Sequence, residues 1–433
     1  MPISLLGLLD RLRASFWLLP SLMAFAAILL SSSLILIDAR FGKAIDQRLG
    51  WFLAFGPEGA RAILGAIAGS MITVAGLTFS ITMLTLQLAS SQFGPRLLRS
   101  FLRDRGNQAV LGTFISTFLY CLLVLRTVRG VEGASFVPHL SVGVGVLMAV
   151  ASLAVLIFFI HHTAHAIRLE SILSELASET RETIDRLFPE QIGVDPSDAA
   201  CGPVSGPLPD FDREGHAVPA RRGGYVQIVD GDALLALARE HDLVLRLEAQ
   251  PGRFVVGGEA LLVAWPQSRL NDTVMKALAG TIVQGDERTP REDLDFSLRR
   301  IVEIAQRALS PGINDPTTAC YCIDRLREAL MHLARRKPPS PVRVDEAGRV
   351  RLVAQTAPAG ELARAAFAAV ARYGLGDADV VRLLLAATAD VAAEMPPSER
   401  RPLDALGAAI RIEAAEAVAA FDARASDACH PQS

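Results

Sequence analysis

Residues 62–95 read AILGAIAGSMITVAGLTFSITMLTLQLASSQFGP and hold no charged side chain. As a single helix this stretch would measure about 50 Å, at about 1.5 Å per residue, against a hydrocarbon core of about 30 Å. The window places the chain in a membrane, and its excess length asks for a tilt, a bend near Gly76, or a polar end (Ser90, Ser91, Gln92) that projects past the lipid before Gly94-Pro95 stops the helix.

Three more charge-free windows flank it: Ala14 to Ile37, Gly106 to Leu125 and Val137 to Ile160. For the first of these a signal peptide is the competing reading. Its apolar region would be shorter and would end at a small-residue cleavage site, whereas LSSSLILID runs on into Ala39 and Arg40. The expectation is a four-helix transmembrane domain over 1–160, with spans at about 14–37, 62–93, 107–126 and 137–160, which puts both termini on one side. Basic residues orient it. The loop after span two carries Arg96, Arg99, Arg103 and Arg105 against Asp104, and Arg11 and Arg13 precede span one. The loop after span three has Arg126 and Arg129. By the positive-inside tendency the termini are cytoplasmic, although Arg40, Lys43 and Arg48 would then lie outside.

Composition agrees with a membrane part joined to a polar part. The 433 residues are 51% hydrophobic and 21% charged, too apolar for an ordinary soluble chain and too charged for one wholly in lipid. A net charge of -3 gives no global basic surface, so no nucleic-acid partner is expected. The five cysteines form no disulfide framework, and Cys320 with Cys322 lacks zinc or redox spacing.

Span two is rich in hydroxyls. Gly65 and Gly69 form a GxxxG, while Ser70, Thr73, Ser80 and Gln87 are polar positions in a charge-free helix. Thr73, Ser80 and Gln87 recur every seven residues on one stripe. Close helix packing explains such residues, because small side chains let backbones approach and hydroxyls bond back to carbonyls one turn earlier. A helix lining a wet pathway or a subunit interface explains them too. The pore or interface candidates are Ser70, Thr73, Ser80 and Gln87, with Arg96 and Arg99 at the mouth. At the end of span four, FFIHHTAHAIRLE sets His161 and His165 four apart on one helix face, with His162 adjacent. That is metal-ligand spacing, but the segment has no carboxylate or cysteine to complete a ligand set, so polar anchoring is expected and no metal.

Beyond the spans the chain reads as predominantly α. A helical extension (161–188) is followed by a Pro/Gly/Asp-rich linker (189–223). A small α/β, barrel-like module occupies 224–290, with strands at GYVQIVD, LVLRLEAQ, RFVVGG and ALLVAW and a helix at ALLALAREHD. PGRFVVGGEALLVAW is similar to the turns of biotin- and lipoate-carrier domains, but no lysine lies between Lys43 and Lys276, so no prosthetic group is expected. An α-helical bundle fills 291–425, and 426–433 is expected to be a disordered tail.

Within that bundle, ALSPGINDPTTA (308–319) separates two amphipathic helices. Ser310, Pro311 and Gly312 end the first, and Asp315 as N-cap with Pro316 at the first helical position opens the second. Asn314 is left over, so the loop is also a candidate ligand or subunit contact.

The text TVAGLTFSITMLTLQLASSQFGPRLLRSFLRDRGNQAVLGTF, the HH after span four, GYVQIVD and above all RALSPGINDPTTA resemble the bacterial family catalogued as domain of unknown function 2254. The resemblance runs in order over nearly the whole chain and implies a multi-span bacterial envelope protein with a cytoplasmic C-terminal region; the inner (plasma) membrane is the expected location. It departs at Thr317, where a bulky residue is implied.

No GxSxG, HExxH, GxxxxGK[ST] or dinucleotide-binding turn is present, so no enzyme and no cofactor are expected. The sequence points to a homo-oligomeric ion channel or transport-related protein with a cytoplasmic regulatory domain. Its partners would be the lipid bilayer, further copies of the chain, and ions or a small ligand. The alternative is a membrane-anchored sensor or scaffold whose cytoplasmic domain binds a ligand or protein.

Overall fold

The computed structural model describes residues 17–53, 56–93, 104–129, 136–166, 168–188, 208–336, 340–355 and 357–429. The chain divides into two units, Met1–Ser171 and Ile172–Ser433.

The first unit contains four long helices, α1 (Leu18–Leu53), α2 (Pro57–Phe93), α3 (Arg105–Leu125) and α4 (His139–Ala166). Their apolar stretches, Leu18–Phe41, Pro57–Leu88, Arg105–Leu125 and His139–Ala164, are long and apolar enough to cross a membrane. A helix satisfies its backbone groups internally, which hydrocarbon requires. The shortest of the four, α3, is the central one: 56% of its apolar window is buried, against 17–22% for the others. It packs on α1 closely enough that a Cβ added at Gly112 would meet Met23 Sδ at 2.5 Å.

Two apolar layers fill the bundle. One joins Ala27, Leu64, Ala68, Tyr120, Cys121 and Val142. The other joins Ala75, Val110, Leu111, Phe114 and Phe159. Buried polar pairs fix the register of α3 against α4: Tyr120 donates to the Ser141 carbonyl at 2.8 Å, and Thr117 and Ser152 hydroxyls meet at 3.1 Å.

The first span runs past the boundary expected at Ile37, because Asp38 does not end the helix. It is buried, and its carboxylate accepts from the Leu140 and Ser141 N–H groups at 3.1 and 2.9 Å and from the Ser141 hydroxyl at 2.6 Å. These are orphan donors at the start of α4, where a negative charge is favoured.

The second unit begins in α5 (Leu169–Leu187), continues through α6 (Phe211–Glu214), and then combines strands and helices. Its strands are β1 (His216–Pro219), β2 (Gly224–Val229), β3 (Val244–Leu247), β4 (Phe254–Val255), β5 (Ala260–Trp265) and β6 (Ile282–Gly285), with α7 (Gly231–Glu240) and α8 (Asp272–Gly280) between them. The helical bundle comprises α9 (Leu294–Ala308), α10 (Pro316–Ala334), α11 (Ala359–Gly374), α12 (Ala378–Glu394) and α13 (Pro397–Cys429). Residues 430–433 of the expected tail, and 189–207 of the expected linker, lie outside the described residues.

Two strands interrupt the region read as helical: β7 (Val342–Val344) and β8 (Val350–Val353). They complete a five-stranded sheet of order β1-β5-β3-β8-β7, in which β3 and β8 run parallel and the other neighbours antiparallel. A three-stranded sheet, β4-β2-β6, forms the other layer. Leu245, Leu262, Val226, Leu234 and Leu278 meet in the shared core. Arg351, in the middle of β8, is buried at 3% exposure and pairs with Asp345 at 2.9 Å and Asp242 at 2.7 Å. A buried charge needs such partners.

Candidate functional site

The face of α2 turned away from its own bundle is the first candidate. Inward along α2 point Ala60, Leu64, Ala68, Ala75, Thr78 and Thr85, all buried. Ser70, Thr73, Ser80 and Gln87 are exposed, so the structure brings all four of these expected candidates to the outside of the bundle. Gly65, Gly69 and Gly76 accompany them, and a Cβ built on any of the three has nothing within 4 Å. At 100° per residue, Gly65, Gly69, Thr73, Gly76, Ser80 and Gln87 share one stripe along the helix.

Hydroxyls on this helix are partly satisfied by their own backbone. Ser70 donates to the Ala66 carbonyl at 2.8 Å, and Thr73 and Ser80 donate to Gly69 and Gly76 at 2.9 Å. Each oxygen keeps lone pairs for a further partner. Exposed Ile72, Leu77, Phe79, Leu84 and Leu88 flank this stripe on α2, and the outward faces of α1 and α4 are apolar as well. They present Leu22, Phe25, Leu29 and Leu36, and Leu147, Val150, Leu153 and Ile157, which are suited to lipid. Arg96 and Arg99 lie outside the described residues, so their place at a mouth is not part of this geometry.

The loop between α9 and α10 is the second candidate. Asn314 adopts φ of 50°, the left-handed region. Its N–H donates to the Ser310 carbonyl at 2.9 Å, and the Asp315 N–H donates to the Ala308 carbonyl at 2.7 Å, which closes the end of α9. Asp315 caps α10: its carboxylate accepts from the Thr318 N–H at 3.0 Å and the Thr318 hydroxyl at 2.6 Å, with Pro316 following at the helix start. These hydroxyl and N–H donors hold the Asp315 carboxyl below its ordinary value. Asn314, unassigned by sequence reasoning, therefore has a backbone role, since asparagine tolerates positive φ better than other side chains. Pro311, Gly312 and Ile313 are exposed, and nothing in the structure explains Gly312.

At the end of the bundle where α3 begins, the structure adds a residue that local sequence reading missed. Asp104 caps α3 by accepting from the Gly106 N–H at 2.8 Å, and its other oxygen meets His162 Nε2 at 2.6 Å. The carboxylate absent from the histidine segment thus arrives from 58 positions earlier in the chain. Phe158 stacks on the His162 ring at 5.2 Å, and Gly106 forms the floor beneath it: an added Cβ would lie 2.7 Å from Nε2. His161 is exposed, and the His165 side chain lies outside the described residues. Among the described residues no three His, Cys, Asp or Glu side chains converge on a metal-sized site.

Comparison with known proteins accords with a membrane chain. A family model described as a predicted membrane protein, DUF2254, matches residues 13–390. Uncharacterized proteins of Mycobacterium bovis and Mycobacterium tuberculosis are each 34% identical to it over 419 residues, covering 95% of this chain and 78% of the relative. No solved structure matches the chain.

Proposed function

The chain belongs to the DUF2254 family of predicted membrane proteins, and from that premise we propose that it is a homo-oligomeric ion channel or transport-related protein of the bacterial inner membrane. Copies associate through α2, whose outward stripe lines or borders the pathway. The second unit, with both termini, is cytoplasmic and regulates it.

The observation that carries this reading is the contrast between outward faces. Helices α1 and α4 offer bulky apolar side chains, while α2 sets a stripe of Gly65, Gly69, Thr73, Gly76, Ser80 and Gln87 between exposed Ile72 and Phe79 on one side and Leu77, Leu84 and Leu88 on the other. Lipid gains nothing from glycine, serine and glutamine on its side of a helix, whereas a neighbouring helix or a file of water does. Gln87 is the costliest of them to leave against hydrocarbon, since its amide has donors and acceptors to satisfy.

The test is flux. Full-length protein reconstituted in liposomes should dissipate an imposed potassium or chloride gradient faster than empty liposomes, and Ser80→Leu should reduce the rate. A tight vesicle with correctly folded protein, together with saturable binding of a metabolite or protein to the full chain, would favour a sensor or scaffold instead.

A further inference from the structure

Inside the first unit, apart from the outward stripe of α2, a polar layer lies directly beyond an apolar one. The apolar layer is Ala75, Val110, Leu111, Phe114 and Phe159. Helices α2 and α4 both run opposite to α3: Leu64 packs near Tyr120 and Cys121 while Ala75 packs near Val110 and Leu111, and Thr117 and Asp104 pair with Ser152 and His162 respectively. One turn further toward Asp104 on each helix brings Thr78 (after Ala75), Asn107 (before Val110 and Leu111) and Thr163 (after Phe159) to the same level.

Two of these side chains are unusual. Asn107 is 8% exposed, yet its Oδ1 has no hydrogen-bond partner among the described residues, and neither has the buried Thr163 Oγ1. An amide oxygen buried without a donor costs free energy, and two such oxygens at one level of a packed bundle point to a shared ligand. Thr78, at 2% exposure, adds a third oxygen at that level.

We propose that Asn107 and Thr163, with Thr78, bind a small monovalent metal cation in the bundle of each protomer. The donors are all hard oxygens, which excludes soft metals. A carboxylate stands three residues before Asn107, that of Asp104, already engaged by His162 and the Gly106 N–H. One carboxylate shared in this way suits sodium or potassium better than calcium or magnesium, which take more acidic oxygens or retain several waters. Thr163 stands in the last turn of α4, whose carbonyl end favours a cation and opposes the positive end of α3, in whose first turn Asn107 stands. This site stands independently of permeation through α2, so either can fail alone.

The experiment measures 22Na+ binding to the purified full chain in detergent by scintillation proximity, at constant ionic strength held with choline chloride. Saturable binding near one ion per chain, displaced by unlabelled sodium or potassium and not by choline, is the expected result. Asn107→Leu should weaken it at least about tenfold, equivalent to about 1.4 kcal/mol, while Asn107→Asp, which keeps the shape and an acceptor oxygen, should bind at least as well as the natural chain. The natural chain decides the matter even where a variant folds poorly. Absence of saturable displacement by sodium or potassium would overturn the proposal and leave ordered water as the partner of the two oxygens, as would full binding by a folded Asn107→Leu.

Discussion

Replacing Asn314 separates a backbone role from a binding role. Its φ of 50° lies where an L side chain meets the following carbonyl oxygen, at a cost of roughly 1–2 kcal/mol for residues other than glycine, asparagine and aspartate. The side chain is exposed, so removing the amide by itself exposes no core and opens no cavity. Asn314→Ala should therefore destabilise the chain by about 1 kcal/mol, and Asn314→Gly, which has no Cβ to strain, should stay within about 0.5 kcal/mol of the natural chain. Asn314→Val should be worse than alanine, because branching at Cβ aggravates the same clash. Thermal unfolding of the purified full-length chain, followed by circular dichroism, reads the difference; about 1 kcal/mol corresponds to roughly 2–4 °C in a unit of this size. If alanine matched the natural chain in stability, or if glycine were as damaging as alanine, the strain argument would fail and the amide itself would have to be making a contact.

Other consequences are measurable in the same way. Asp315→Ala should cost about 1 kcal/mol and Asp315→Asn much less, because asparagine caps nearly as well. The Asp315 carboxyl is held below its ordinary value by Thr318, so its contribution is complete above the unfolded value of about 3.9 and is lost as pH falls through the lower folded value; the gap between the natural chain and Asp315→Ala should close on acidification, and a constant gap would refute the charge-assisted cap. Gly252 has φ of 85° and an added Cβ would lie 2.1 Å from Asp293 Oδ2, so Gly252→Ala should displace the N-cap of α9 and lower stability by at least about 2 kcal/mol in chemical denaturation. Asp345→Ala leaves the buried Arg351 guanidinium with Asp242 as its remaining carboxylate and should cost about 2–3 kcal/mol by the same assay, less than the full loss of a buried pair; a loss below about 1 kcal/mol would mean that Asp242 alone suffices.

The parts of the fold legible in the sequence were those written in local pattern. Charge-free windows located all four apolar helices, and short apolar runs bounded by turns located β2, β3, β4 and β5, because each signal sits within a few residues of its element. Interactions across the chain were not legible. Asp38 reads as the end of a span until α4, about 100 residues later, offers it three hydrogen-bond donors. Strands β7 and β8 are short, and the buried Arg351 breaks the apolar pattern of β8; the partners that make this tolerable, Asp242, the Leu243 carbonyl 108 residues away and the parallel strand β3, come from beyond the intervening helices. His162 was visible as a histidine but not as a partner of Asp104. For α2 the sequence showed which positions were polar but not which faced outward: Thr78 and Thr85 turn into the bundle, while Thr73, Ser80 and Gln87 turn out.

The outward turn of those residues is the basis of the proposed pathway, and water reaching them in the membrane tests it most directly. Single cysteines at Thr73, Ser80 and Gln87 on α2, and at Leu147 and Val150 on α4, would be challenged in reconstituted vesicles with a membrane-impermeant charged thiol reagent. The unmodified chain, with its natural cysteines, supplies the background. A wet pathway predicts rapid labelling at Thr73→Cys, Ser80→Cys and Gln87→Cys and only background labelling at Leu147→Cys and Val150→Cys. Equal protection of all five positions would contradict the account and leave the stripe of α2 as a dry packing surface.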